Sequence, residues 1–203
     1  MNNSAKKTMR SDLDIIFGWI NTNNRILDLG CGDGTLLQRL RDDKQTTGYG
    51  LEISNQHINT CVKKQLNVVN QDIGGGLDNF GDNSFDTVVM TQALQAMAEP
   101  HKVLEDMLRI GKECIVTFPN FGHWKARWHL LVNGRMPVSD LLPYEWYDTP
   151  NIHFCTFADF EILCHKMNIT ILHREVVSQS DSWLKDIRPN LFGDTALYHL
   201  CKK

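Results

Sequence analysis

The 203-residue sequence contains no apolar run approaching the ~20 residues that a membrane-spanning helix needs. Its first residues, Met1-Asn2-Asn3-Ser4-Ala5-Lys6-Lys7, are polar and lack the apolar core of a secretion signal. Excess charge is missing as well. With 21 basic and 24 acidic residues the net charge is −3, which gives no bulk electrostatic basis for binding nucleic acid or acidic lipid. The six cysteines (Cys31, Cys61, Cys114, Cys155, Cys164 and Cys201) form no Cys-x-x-Cys pair. Their spacing suggests no zinc site, so no metal is expected. Several lie in apolar stretches, where cysteine acts as a small hydrophobe, and they read as free thiols of a cytoplasmic protein. Repeats, low-complexity tracts and an interdomain linker are also absent. What remains is 42% hydrophobic and 22% charged, an ordinary globular composition whose length suits one domain, 1–203, with a sizeable core.

The most informative stretch is Asn24 to Thr35. Ile26, Leu27 and Leu29, interrupted only by Asp28, read as a short buried strand. Gly30-Cys31-Gly32-Asp33-Gly34 follows at once, and Leu36, Leu37 and Leu40 then recur at helical spacing. A strand that becomes a helix through alternating glycines makes a backbone cradle, with unpaired N–H groups aimed at whatever sits there. A dinucleotide fingerprint would need a further glycine where Thr35 stands. Asp28 and Asp33 also make the loop a poor host for pyrophosphate and a better one for a cationic ligand head. S-adenosylmethionine, with an ammonium, a sulfonium and no phosphate, fits. Glu52 ends the next apolar run, where it can accept from the two hydroxyls of a ribose. Asp72 closes a third run, where it can accept from an adenine amino group.

The rest of the chain alternates. A helix begins near Ser11, with Leu13, Ile16, Phe17 and Ile20 on one face, and is expected over the sheet edge. A helix over 54–64 is expected to be capped by Ser54 and to turn Ile58, Cys61 and Val62 inward. Strands are expected at Val68–Val69, 85–90, 113–118, 169–177 and 195–200, with a helix from Pro100 to Ile110 and another capped by Thr156. The segment 72–83 reads as a flexible loop. The repeated alternation argues for an α/β, doubly wound, mostly parallel seven-stranded sheet whose ligand binds beyond the carboxyl ends of the strands.

Asp28-Leu29-Gly30-Cys31-Gly32-Asp33-Gly34 resembles motif I of the class I S-adenosylmethionine-dependent methyltransferases. Later blocks are more specific: Gln92-Ala93-Leu94-Gln95, Phe118-Pro119-Asn120-Phe121-Gly122-His123-Trp124, Gly134-Arg135-Met136-Pro137-Val138, and Leu142-Pro143-Tyr144-Glu145-Trp146-Tyr147-Asp148-Thr149-Pro150-Asn151-Ile152-His153. Together they resemble the bacterial methionine biosynthesis protein MetW family from about Arg10 to about Val177. The resemblance implies a Rossmann-like methyltransferase fold. It also implies S-adenosylmethionine as cofactor, held by Asp28, Gly30, Cys31, Gly32, Glu52, Ile53, Asp72, Ile73 and Gln92. It further implies homoserine O-acyltransferase as the partner. It assigns no catalytic residue.

Residues 120–155 break the alternation and form an aromatic-rich insert after strand five. As a substrate lid it would turn its aromatics inward, with Arg127 or Arg135 binding a carboxylate acceptor and His123, His129 or His153 as general base. As a partner surface it would expose them. The two functional readings follow that division. One is an accessory protein of methionine biosynthesis; the other is an active methyltransferase on a small-molecule or protein acceptor.

Overall fold

The computed structural model describes residues 11–139, 142–178 and 183–203. Its seven strands are β1 (Arg25–Leu29), β2 (Thr47–Glu52), β3 (Val68–Asn70), β4 (Phe85–Thr91), β5 (Gly111–Pro119), β6 (Ile169–Val177) and β7 (Thr195–Lys202). They form one sheet in the order β3-β2-β1-β4-β5-β7-β6. The first five run parallel, and β7 enters antiparallel between β5 and β6.

Strand residues point alternately to the two faces, and nearly all central positions are apolar because both faces are covered. Ile26 of β1, Val89 of β4, Ile115 of β5 and Leu197 of β7 face one side. There they meet α1 (Ser11–Trp19), α2 (Thr35–Lys44) and Cys61 of α3 (Asn55–Lys63). Leu27, Leu29, Val88, Met90, Val116, Phe118 and Tyr198 face the other side. They pack on Val103, Leu104, Met107 and Leu108 of α4 (Pro100–Ile110) and on Phe157, Phe160 and Cys164 of α6 (Phe157–Lys166). Helices therefore change face between β1 and β4, which leaves a crevice at that point of the sheet. The remaining helices are α5 (Trp124–Asn133), α7 (Leu184–Ile187) and α8 (Pro189–Phe192).

Four expectations change. α1 does not lie over a sheet edge: Leu13, Ile16 and Ile20 are buried in the core of one face, and Trp19 stacks on His173 of β6 and His199 of β7 at 5.9 and 5.6 Å. Val62 is exposed, because Cys61 alone brings α3 down onto the sheet there. Ser54 sits at the N-cap of α3 but makes no side-chain cap; its own N–H is held by Glu52 instead. The stretch 72–83 is a pinned loop. Leu77 is buried, and the Arg109 guanidinium donates to the carbonyls of Leu77 and Phe80 and to Asp82 and Asp106. Its glycine-rich composition hid this, since the anchor lies on α4.

Two outcomes test these anchors. Arg109→Met removes a fork that no neighbour replaces, so it should cost about 1–2 kcal/mol and lower Tm by about 3–6 °C. An unchanged Tm would mean that the loop holds itself. Asp86 accepts from Lys112 and from the Arg25 N–H, and these bonds hold its carboxyl at about 2 against an ordinary 3.8. A depressed acid stabilises the fold above its ordinary pKa and stops doing so as pH falls through the lowered one. Asp86→Asn should therefore lower Tm near neutral pH, with the gap to the parent closing between about pH 4 and 2. A gap of constant size would disprove the assignment.

Candidate functional site

The crevice beside β1 opens into a cleft of ≈ 790 Å³ lined by Asp28, the Gly30–Asp33 loop, Thr35, Leu36, His57, Thr91 and Leu13. Backbone conformation shapes it. Gly30, Gly32 and Gly34 have φ of 75°, 56° and 73°, the left-handed region that side chains disfavour. At Gly34 space is limiting too, since a Cβ there would lie 2.4 Å from Leu66 Cδ1 and 2.9 Å from Cys61 Sγ. The loop is stitched to β2 by the Gly30 and Cys31 N–H groups, which donate to the Leu51 carbonyl at 2.9 and 3.0 Å.

Glu52 completes the stitching. Its Oε1 accepts from the N–H groups of Ile53 and Ser54 at 2.9 and 2.8 Å, and its Oε2 accepts from Gly32 N–H at 2.9 Å. Three of the roughly four acceptor positions of a carboxylate are thus taken by backbone. Beside Oε2 lies His57 of the cleft lining, with Nδ1 at 3.7 Å. Glu52 is therefore a clamp on the glycine loop as well as a candidate ribose ligand.

The two acids of the loop differ sharply. Asp33 is exposed and engaged: its Oδ1 accepts from the Thr35 N–H and hydroxyl, and Lys64 Nζ lies 3.5 Å from Oδ2. Burial pushes its carboxyl up, but the Thr35 bonds and the Lys64 ammonium outweigh this and hold it below the ordinary value. Asp28 is buried on the cleft floor, and its Oδ1 has no hydrogen-bond partner among the described residues. Burial first, and the Glu52 charge second, push its carboxyl up to about 7.

The other expected cofactor residues lie around this floor at different distances from it. Ile53 follows Glu52 with 64% of its surface exposed, an apolar face left open at the rim. Gln92 follows Thr91 in a left-handed conformation, φ 55°, with its N–H donated to the carbonyl and hydroxyl of Thr117. A non-glycine residue held there costs of order 1 kcal/mol or more and is the kind of strain found at ligand sites. Asp72 is exposed and its Oδ1 accepts from Gly74 N–H, so it shapes the turn at 73–75. Ile73 lines a separate cavity of ≈ 620 Å³ with Gly74, Gly75, Met97 and Val103. Leu13, His57 and Thr91 were not foreseen as lining residues. No local pattern marks them, because only the packing of α1 and α3 and the pairing of β4 with β1 bring them here. Cys31 and Cys61 both point at the Gly32 carbonyl, and burial raises both thiols, which suits packing and not nucleophilic attack.

The insert is closed at its base and open at its surface. Phe121 N–H donates to the Cys155 carbonyl, so its two ends meet. The fully buried Asn120 donates to the carbonyls of Asn190 and Gly193 and accepts from Gly122 N–H. His123 caps α5 by accepting from Lys125 N–H, with Nε2 3.4 Å from Asp194. Burial lowers its pKa against the opposing charge of Asp194. Arg127 donates to the carbonyls of Gly122 and Asn190, and His153 pairs with the Ala98 carbonyl. These candidates for acceptor binding and base catalysis are thus occupied in holding the insert. Its aromatics point outward: Trp128 is 61%, Trp146 72% and Tyr147 71% exposed. Among the described residues no group of three or more metal-ligating side chains converges, and no helix is long and apolar enough to cross a membrane.

Comparison with solved structures gives the fold. A S-adenosylmethionine-dependent methyltransferase from Mesorhizobium loti aligns with TM-score 0.67 and 15% identity over 93% of this chain and 95% of that one. The [4+2]-cyclase SpnF aligns with TM-score 0.66 and 18% identity over 94% and 80%. The sequence is 33% identical over 202 residues to the bifunctional methionine biosynthesis protein MetXA/MetW of Rhodopirellula baltica, covering 94% of this chain. The chain spans about a third, 32%, of that relative's length. The family model described as methionine biosynthesis protein MetW matches residues 10–200. With the class I methyltransferase fold and this match over almost its whole length, the chain belongs to the methionine biosynthesis protein MetW family.

Proposed function

We propose that this protein binds S-adenosylmethionine in the cleft beyond β1 and serves as an accessory subunit to a homoserine O-acyltransferase, which docks on the aromatic insert. One observation carries the reading of the site: the buried, unpartnered Asp28 oxygen on the floor of a glycine-walled cleft. Such an oxygen calls for a cation with hydrogens to donate, and the ammonium of S-adenosylmethionine is one. Glu52 offers its remaining lone pair to a ribose hydroxyl, and Ile53 and Gln92 sit where the adenosine would extend. Bound there, the cofactor would supply an electrophilic methyl group.

The accessory role is supported by the relative in which MetXA and MetW are one polypeptide, and by the outward aromatics of the insert. Exposed Trp and Tyr side chains on a rigid base are the usual anchors of protein interfaces. The second reading, methyl transfer to an acceptor, draws on the fold and on the open cleft. Of the groups that would mark it, His123, Arg127 and His153 are engaged in structure, and the same fold serves a protein named as a cyclase.

Calorimetric titration with S-adenosylmethionine tests the cofactor. Glu52→Ala should weaken binding at least tenfold, through the lost ribose bond and the loosened Gly32 loop; unchanged affinity would remove Glu52 from the site. The partner is tested by mixing the purified protein with homoserine O-acyltransferase and measuring acyl transfer with and without added S-adenosylmethionine. Replacing Trp128 and Trp146 together by Ala should weaken association at least tenfold while leaving S-adenosylmethionine affinity intact. Full stimulation by the double variant would move the partner surface elsewhere.

A further inference from the structure

The carboxyl group on the floor of the cleft is poorly disposed to carry a charge. Asp28 ends in a fold position that leaves 2% of its surface exposed, and its Oδ1 lacks any hydrogen-bond partner among the described residues. Its surroundings add to the burden. Glu52, from the end of β2, takes up three backbone N–H groups at its own carboxyl oxygens. The Cys31 thiol of the adjoining loop is uncharged, and Asp33 on the rim is turned to Thr35 and Lys64. α1 contributes the apolar Leu13 and, next to it, the buried Asp12; β4 contributes the uncharged Thr91. His57 of α3 lines the cleft, but its ring lies against Glu52.

We propose that ligand uptake is an exchange of cations: Asp28 holds a proton until the ligand ammonium arrives, and that proton leaves to solvent as the ammonium takes its place. The inference rests on the cofactor reading above, which supplies the ammonium. An anionic Asp28 accepts two charge-assisted bonds readily, whereas a protonated one offers the ammonium a competing donor.

The sign follows from linkage. Asp28 titrates at about 7 in the folded chain against an ordinary 3.8. A raised acid stabilises the fold when protonated, and that contribution disappears as pH rises through about 7. Ligand binding opposes the trend, because the ammonium replaces the lost proton. Below neutrality each binding event must expel a proton, so affinity falls as pH falls. The ligand's α-amino group loses its own charge near pH 7.7–8.0. Binding is therefore tightest in a narrow window between about pH 7 and 8.

The test is calorimetric titration at about pH 6 in two buffers of different ionisation enthalpy, phosphate and imidazole, which counts protons released per ligand bound. S-adenosylmethionine should release about 0.9 proton, and its affinity should rise about fivefold between about pH 6 and 7. 5′-Methylthioadenosine, which has the adenosine but no amino-acid head, should bind with no release. Asp28→Asn should bind S-adenosylmethionine with the release abolished, while His57→Gln should retain it. Binding of S-adenosylmethionine with no proton released overturns the exchange and leaves the cofactor reading standing. Release that persists in Asp28→Asn, or that accompanies 5′-methylthioadenosine equally, also overturns it. Binding of neither compound at any pH overturns the cofactor reading, and the exchange falls with it.

Discussion

The carboxylate of Glu52 holds together the ends of two parallel strands, and the cleft exists because it does. Parallel strands end with their last carbonyls and the first N–H groups of the next segment unpaired, which is costly unless something accepts them. Here one side chain accepts from Gly32 on the β1 loop and from Ile53 and Ser54 after β2. The glycine loop is thereby fixed in its left-handed turns without a ligand. This preorganisation lowers the ordering cost of binding. It also means that a residue expected only to touch ligand is part of the loop's own framework.

The fixed loop sets the electrostatics of the floor. The backbone donors near β1 are taken up by Glu52 and by the Leu51 carbonyl, and Asp28 receives none at Oδ1. Asp33, one turn away, is satisfied by Thr35 and Lys64. Two aspartates five residues apart in one motif thus have opposite behaviour. One is a solvated turn-former held below its ordinary pKa; the other is a buried acid waiting for a counter-charge.

The insert is organised on the reverse principle. Several of its polar groups are turned inward, and Trp128, Trp146 and Tyr147 are turned outward. Asn120, His123 and Arg127 spend their hydrogen bonds on the α8–β7 connection and on the start of α5. Ile152 and His153 N–H groups both donate to the Gln95 carbonyl, in the loop that begins at Gln92. The insert is therefore tied to the loop that follows β4. The exposed Trp and Tyr rings rest on a base held by polar contacts, which is the observation behind the proposed partner surface.

Much of this was legible along the chain. The strand-glycine-helix succession, the leucines of α2, the Thr156 cap and the boundaries of β6 depend on neighbours within a few residues, so local pattern determines them. Motif spacing likewise placed the acids at strand ends, because a strand end is where a buried apolar run must stop. Tertiary structure alone decided the rest. The antiparallel entry of β7, the pinning of 72–83 by Arg109 and the seat of α1 across a sheet face depend on partners tens of residues away. The sequence left open whether the insert aromatics turn in or out, since an apolar residue on a helix such as Trp124, Trp128 or Leu131 is the same letter whether it meets a core or solvent, and all three are exposed. The contrast between Asp28 and Asp33 was hidden for a similar reason: a carboxylate's charge state is set by burial and by donors from other strands, and neither is a property of the residue's own neighbours in sequence.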